Sequence, residues 1–312
     1  MKTSVSRIIF NIFNYSFMVL LAVCTLYPMV YIVFASFSEP LRFMGHTGLL
    51  FGPLGFSLAS YAKALSHELI LASYGNTLFV VITGTSISLI LTSLGAYFLS
   101  RKNVMFQKYI SVFILITMFF SGGLIPFYFT VKNIAVTLPF FNMVDGVLNI
   151  TLKEVGLFNS LWALVLPCCM STFNLMVMRT GFLGVPDELS EAAVLDGCGH
   201  MGILFRIMLP LIMPTVAVMI LYYGVAYWNA WFNASLFINE AKKFPLQLVL
   251  RQIIINSDTS NLSIGSDSGE QMAIGETIKY STIVIATLPV LAIYPFLQKY
   301  FVSGVMIGAV KG

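Results

Sequence analysis

Six stretches of the chain, residues 9–37, 76–100, 109–130, 161–178, 209–232 and 280–297, are continuously apolar in character, and none of the thirteen acidic residues falls inside them. A membrane-crossing helix needs about 20 mostly apolar residues. Within lipid, every backbone polar group must also find its partner inside the protein. The expected fold is therefore all-α, with six transmembrane helices in a single domain covering residues 1–312. Composition points the same way: 10% of residues are charged and 58% hydrophobic, where a soluble domain carries about 25% charge. The first stretch follows Lys2 and Arg7 and is longer than the roughly 7–15 residues of a signal-peptide core. It reads as an uncleaved first span.

Six spans place both termini on one side, and the basic residues decide which. The N-terminus, residues 101–108, residues 179–208 and the C-terminus from 298 hold Lys2, Arg7, Arg101, Lys102, Lys108, Arg179, Arg206, Lys299 and Lys311. Their density is roughly twice that of the remaining loops, which include 131–160 and 252–278, and excess positive charge marks the cytoplasmic side. Both termini and the 179–208 loop are thus expected inside. The net charge of +4 follows from this asymmetry and calls for no nucleic-acid partner.

Ionisable groups buried between spans mark proton pathways and intramembrane active sites. Here the acids and the histidines His46, His67 and His200 all sit in loops, without metal-ligand or nucleophile-activating spacing. Cys24, Cys168 and Cys169 fall in expected spans and Cys198 in the 179–208 loop, so no pair points to a disulfide or metal site and packing roles are expected. No Gly-Lys-Ser/Thr phosphate loop occurs, which excludes ATP binding of that type. A chain with a transporter's architecture and no energy-coupling group of its own must take its energy from a partner.

The polar run from Val185 to His200 lies between two spans. Pro186 suits the first position of a helix, and Asp187 and Glu188 set negative charge at the positive end of the helix dipole. A short helix through Leu195 is expected. Ala192 and Ala193 would leave a nearly bare surface beside Glu191, open to close approach by another protein, and Gly197 after Asp196 would end the helix through left-handed backbone angles. A second short helix over residues 201–208 follows, and Leu209-Pro210 is expected to open the next span.

Glu191-Ala192-Ala193, then Asp196-Gly197, then Ile207-Met208-Leu209-Pro210 resembles the EAA loop of ABC importer permeases, here residues 185–208. Further stretches are similar to the maltose-type (MalG-like) carbohydrate permeases, and more closely to their LplC/YtcP-like branch. These are Tyr74 to Phe79 (YGNTLF), Met118 to Pro126 (MFFSGGLIP), Asn174 to Thr180 (NLMVMRT), Tyr227 to Phe232 (YWNAWF), Pro245 to Arg251 (PLQLVLR) and Tyr294 to Gly312. The resemblance implies a type I ABC importer permease fold in the cell membrane. It also implies a second homologous permease subunit, two ATPase subunits that hold ATP and Mg, and an extracellular or periplasmic sugar-binding protein that delivers a carbohydrate, expected to be an oligosaccharide. The chain itself would bind no cofactor and catalyse nothing. In the family, Glu191, Ala192, Ala193, Asp196 and Gly197 correspond to the coupling helix seated on the ATPase. The outer loops at 140–154 and 257–270 depart from the branch pattern.

A carbohydrate path calls for flat aromatic faces and amides. Tyr223, Tyr227 and Trp231 follow one another at i, i+4, i+8, with Trp228 and Asn229 beside them; they suit either such a path or an interfacial aromatic belt. Asn174 suits either the path or a hydrogen bond between helices. Gly122-Gly123 and Pro126 mark either a gate or close packing, and Gly304, Gly308, Lys311 and Gly312 form either an ATPase-facing tail or a free end. A non-sugar ABC permease shares the coupling loop. An ion-driven secondary transporter or a membrane enzyme would not account for it. Gly197→Asp is expected to leave the protein inserted while separating ATP hydrolysis from uptake; normal uptake by that variant would refute the lever role of the loop.

Overall fold

Where a long apolar run contains residues that cannot continue a helix, the backbone follows the breakers rather than the apolar length. The computed structural model describes residues 5–66, 68–101, 104–120, 122–144, 147–260 and 269–309; Lys2, His67, Lys102, Asp145, Asp267, Lys311 and Gly312 lie outside them. In chain order the elements are α1 (Val5–Ser36), α2 (Pro40–Met44), α3 (Ala59–Leu65), α4 (Glu68–Ser100), α5 (Gln107–Phe119), α6 (Leu124–Asn133), β1 (Ala135–Val144), β2 (Val147–Gly156), α7 (Trp162–Val165), α8 (Thr172–Leu183), α9 (Asp187–Leu195), α10 (His200–Ile203), α11 (Leu209–Leu211), α12 (Met213–Trp228), α13 (Trp231–Phe237), α14 (Leu246–Ser260) and α15 (Gly269–Ala309). A π-turn, Leu204–Met208, makes α10 and α11 one continuous helix.

Among the described residues three helices are long and apolar enough to cross a membrane unbroken, over Arg7–Ser36, Leu69–Ser100 and Ala273–Ile293. Three bent pairs complete the six: α5 with α6, the α7 segment with α8 (53°), and the α10–α11 helix with α12 (89°). The first break falls where Gly123 takes a φ of +86°, a region glycine enters without the clash of a Cβ. The third is an elbow at Ile212. Pro214, at the start of α12, has no N–H, and its ring clashes with the carbonyl four residues back. Consequently the helix that follows the elbow, α12, starts at Met213, while Leu209 and Pro210 lie in the helix before it. Two other expectations are corrected. The 161–178 stretch is two helical pieces joined through Ser171, which caps α8. At the end of the chain, α15 carries Gly304 and Gly308 inside a helix that runs to Ala309, not in a free tail. Among the described residues the all-α fold is interrupted by an antiparallel hairpin within residues 131–160, paired from Ala135↔Gly156 to Val144↔Val147.

The chain divides into two packing units, residues 1–70 with 250–289 and residues 71–249 with 290–312. In the first, Tyr31 and Ala35 of α1 pack on Phe43, Leu50 and Tyr280, and Ser60 of α3 donates to Thr277 of α15 (2.6 Å). Tyr27 Oη of α1 also accepts from Leu50 N–H (2.8 Å), but the apolar window of the helix is left unburied within the chain.

In the second unit the main core joins α4, α8, α9 and α12 through Val80, Tyr97, Leu175, Phe182, Ala193 and Met219. A smaller core of Val131, Leu157, Ala163 and Phe237 sits at the base of the hairpin, whose exit is tied by Leu157 N–H to Ile134 O (3.1 Å) and Asn159 N–H to Phe237 O (2.8 Å). Several buried hydroxyls of α4 find partners on other segments: Thr77 Oγ1 accepts from Leu246 N–H at 2.8 Å, whereas Thr85 Oγ1 is buried with no partner among the described residues. Helix approach is closest at Gly84, where an added Cβ would meet the Tyr227 ring at 2.7 Å, whereas one at Gly224 would find its nearest atom, Thr85 Oγ1, at 3.9 Å. Gly84→Ala is therefore expected to cost about 1–3 kcal/mol as overpacking, and Gly224→Ala less than about 0.5 kcal/mol. Thermal unfolding in detergent should show a lower Tm for the first only; equal Tm values would contradict the close contact.

Candidate functional site

The residues expected to act fall in two places within the second unit. The first is α9. Pro186 sits just before the helix rather than in its first turn, and Asp187 and Glu188 begin it. Gly197, at a φ of +80°, ends it: Gly197 N–H bonds to Val194 O (3.0 Å) and Cys198 N–H to Ala193 O (2.9 Å). These two bonds are the pair by which a left-handed residue closes a helix and satisfies its last carbonyls. The expected bare alanine face is only half present. Ala192 and Glu191 are exposed, but Ala193 is 6% exposed and belongs to the core. In its place the outer face carries Leu195, 88% exposed, with Val194 and Leu189. Carboxylates beside apolar side chains left open to solvent make a surface suited to a protein partner.

The second place is a cleft of about 710 Å³ between the break preceding α8 and the length of α12. It gathers Asn174, Tyr223, Tyr227 and Asn229 of the expected path, adding Ser171, Tyr222, Cys168 and Asn233. Tyr223 and Tyr227 are 3% and 4% exposed, which rules out the belt role. Their hydroxyls are used structurally. Tyr227 Oη lies 2.9 Å from Ser88 Oγ and donates to Val165 O (3.3 Å); Tyr223 Oη lies 2.7 Å from Thr92 Oγ1 and accepts from Ser171 N–H (3.2 Å). The rings thus form a fixed wall. Asn174 is 6% exposed and lines the cleft. Among the described residues its amide has no hydrogen-bond partner, so the interhelical bond is not made and the amide is open to a solute or water in the cleft.

Two path candidates lie elsewhere. The α12 helix stops at Trp228, and the chain turns through Asn229 and Ala230 before α13 begins. The i+8 spacing that would align Trp231 with the tyrosines therefore fails, and Trp231 packs on the core beside Phe232. Trp228 faces a separate apolar pocket with Val81 and Gly224, its ring 6.5 Å from that of Tyr74.

A family model described as "Binding-protein-dependent transport system inner membrane component" matches residues 84–307, a span that includes both α9 and the cleft. This chain belongs to that family. The permease is 37% identical to the polygalacturonan/rhamnogalacturonan transport system permease protein YtcP of Bacillus subtilis over 97% of this chain and 99% of that one. It is 36% identical to the protein LplC of the same organism, over 97% and 95%. A crystal structure of a bacterial ABC transporter that imports the acidic polysaccharide alginate superposes with a TM-score of 0.81 at 27% identity, over 96% of the permease and 99% of the matched chain. The permease is accordingly the multi-pass membrane component of a binding-protein-dependent ABC transporter, in which separate subunits hydrolyse ATP and a separate protein binds the solute.

Ser88 and Thr92 were the functional residues hardest to see in the sequence. The signal was present: two hydroxyls at i, i+4 in an apolar helix match two tyrosines at i, i+4 in another. Because such bonds between membrane helices are worth about 0.6 kcal/mol on average and up to about 1.7, Tyr223→Phe and Thr92→Val are each expected to lower stability in that range. A double-mutant cycle should return a coupling energy of the same size; additive effects would show that the 2.7 Å contact contributes nothing.

Proposed function

We propose that this chain is one of two homologous permease subunits of an importer that takes up an oligosaccharide, with acidic chains the favoured class. The observation that carries the reading is near full-length similarity to two permeases of one branch, one named for polygalacturonan and rhamnogalacturonan transport, together with the fold shared with an alginate importer. The cleft supports it. Ring walls from Tyr223 and Tyr227 with the amides of Asn174 and Asn229 match the apolar C–H faces and hydroxyl edges of a sugar.

In this reading both termini are cytoplasmic, as the distribution of lysine and arginine indicates. Two ATPase subunits, which hold ATP and Mg, seat the exposed face of α9. Glu191 would bond the ATPase through charge-assisted contacts, Ala192 and Leu195 would lie against it, and Asp196-Gly197 would let the chain turn away. ATP-driven closure of those subunits displaces α9 and opens the cleft alternately to either side, while an extracellular or periplasmic binding protein docks on the opposite loops.

The test is ATP hydrolysis by the copurified complex in lipid, with its binding protein and a panel of neutral and uronate oligosaccharides. Stimulation several-fold by uronate chains, lost in Glu191→Ala while the complex still assembles, is the expected result. Stimulation by neutral sugars alone would overturn the acidic class, and uptake without any ATPase would overturn the importer reading.

A further inference from the structure

On the opposite side from its exposed face, α9 packs against the helix His200–Met208, but toward α4 it faces an open cavity of about 790 Å³ lined by Leu94, Tyr97, Asp187, Glu191 and His200. One side chain bridges that gap. Arg101, the residue after α4, donates from Nη1 to Ser190 Oγ at 2.8 Å. Ser190 is buried, and its own proton goes to Asp187 O at 2.8 Å. The guanidinium lies 4.4 Å from the centroid of the Tyr97 ring, and Tyr97 meets Phe182 of α8 edge-on at 6.0 Å. Arg101 therefore holds α9 with one edge of its plane and α4 with its face, which a lysine ammonium cannot do at once.

The same end of α4 is fixed to its other neighbours. The carbonyl of Leu99 is among the last four of the helix, which lack intrahelical donors; it accepts from Arg179 Nε of α8 (2.9 Å) and from Gln107 Nε2 of α5. Farther back along the uninterrupted α4, Thr92 and Ser88 hold Tyr223 and Tyr227 at the cleft wall. From Arg101 to Ser88 an α-helix rises roughly 20 Å at 1.5 Å per residue.

We infer that Arg101 is a positioning residue that clamps the coupling helix to α4, so that α4 carries a displacement of α9 to the tyrosine wall of the cleft. The inference rests on the proposed role of α9 and adds the route by which its motion reaches the solute. Glu191 and Gly197 meet the partner; Arg101 passes the motion on.

The measurement is the coupling ratio, solute moved per ATP hydrolysed, for the whole complex reconstituted with its ATPase and binding protein. In Arg101→Gln and Ser190→Ala the complex should assemble, keep its KM for ATP and hydrolyse ATP in the absence of solute. The coupling ratio should fall about tenfold, the factor that corresponds to losing one charge-assisted hydrogen bond. The double variant should be no worse than either single one. Tyr97→Phe, which keeps the ring face, should retain coupling, and Tyr97→Leu should lower it. A merely structural role would shift thermal stability of the complex and leave the ratio unchanged, and that result overturns the clamp. Should Arg101→Gln fail to assemble, Ser190→Ala decides alone: a wild-type ratio there also overturns it. Failure of the proposed role of α9 shows separately, as a wild-type complex whose hydrolysis does not respond to Glu191→Ala.

Discussion

Two hydroxyls on α4 and two on α12 meet in reversed order, Ser88 with Tyr227 and Thr92 with Tyr223, and the cleft depends on that ladder. In water, four such groups could be solvated one by one. Between apolar helices each must be matched within the protein, so the ladder holds one register of α12 against α4. Gly84 admits the Tyr227 ring to a distance that any Cβ would forbid. Rings fixed in this way have their hydroxyls already engaged, and leave the Asn174 amide as a polar group of the cleft lining open to a partner.

The proposed coupling helix, α9, is built on the opposite principle. It is short, closed at one end by Gly197 and its two return bonds, and commits Ser190 and Ala193 inward while turning Glu191, Ala192 and Leu195 outward. A helix of nine residues is too short to be stable alone. Its stability comes from the surfaces it touches, which is a suitable property for an element meant to be gripped from both sides.

Much of this was legible in the chain. Apolar length pointed to the three long helices and the three bent pairs, the acids and Gly197 to α9 and its end, and the aromatic and amide residues near 223–229 to part of the cleft. What failed has identifiable causes. Pro210 and Pro214 lie four residues apart, and local preference does not say which of them ends a helix. The i, i+8 alignment of Trp231 assumed an unbroken helix, and the turn at Asn229 and Ala230 removed it. Ala193 and Ala192 are identical in chemistry, so only packing distinguishes the inward one. Arg101 read as one cytoplasmic charge among nine, because its bond to Ser190 joins segments 89 residues apart in the chain. Burial of Tyr223 and Tyr227 was equally hidden, since a belt and a buried wall draw on the same residues at the same depth.

In the proposed mechanism the elbow at Ile212 would set the mechanical advantage of the chain. The helix His200–Leu211 is about 18 Å long and the 16-residue α12 about 24 Å, and they meet at 89°. A bell crank with arms so nearly equal has a gear ratio of about 1.3: it turns the direction of a stroke through a right angle and magnifies it little. An ångström delivered at the coupling end would return about 1.3 Å at the far end of α12, so in the proposed mechanism the size of the opening would follow how far the ATPases travel, with little leverage added within this chain.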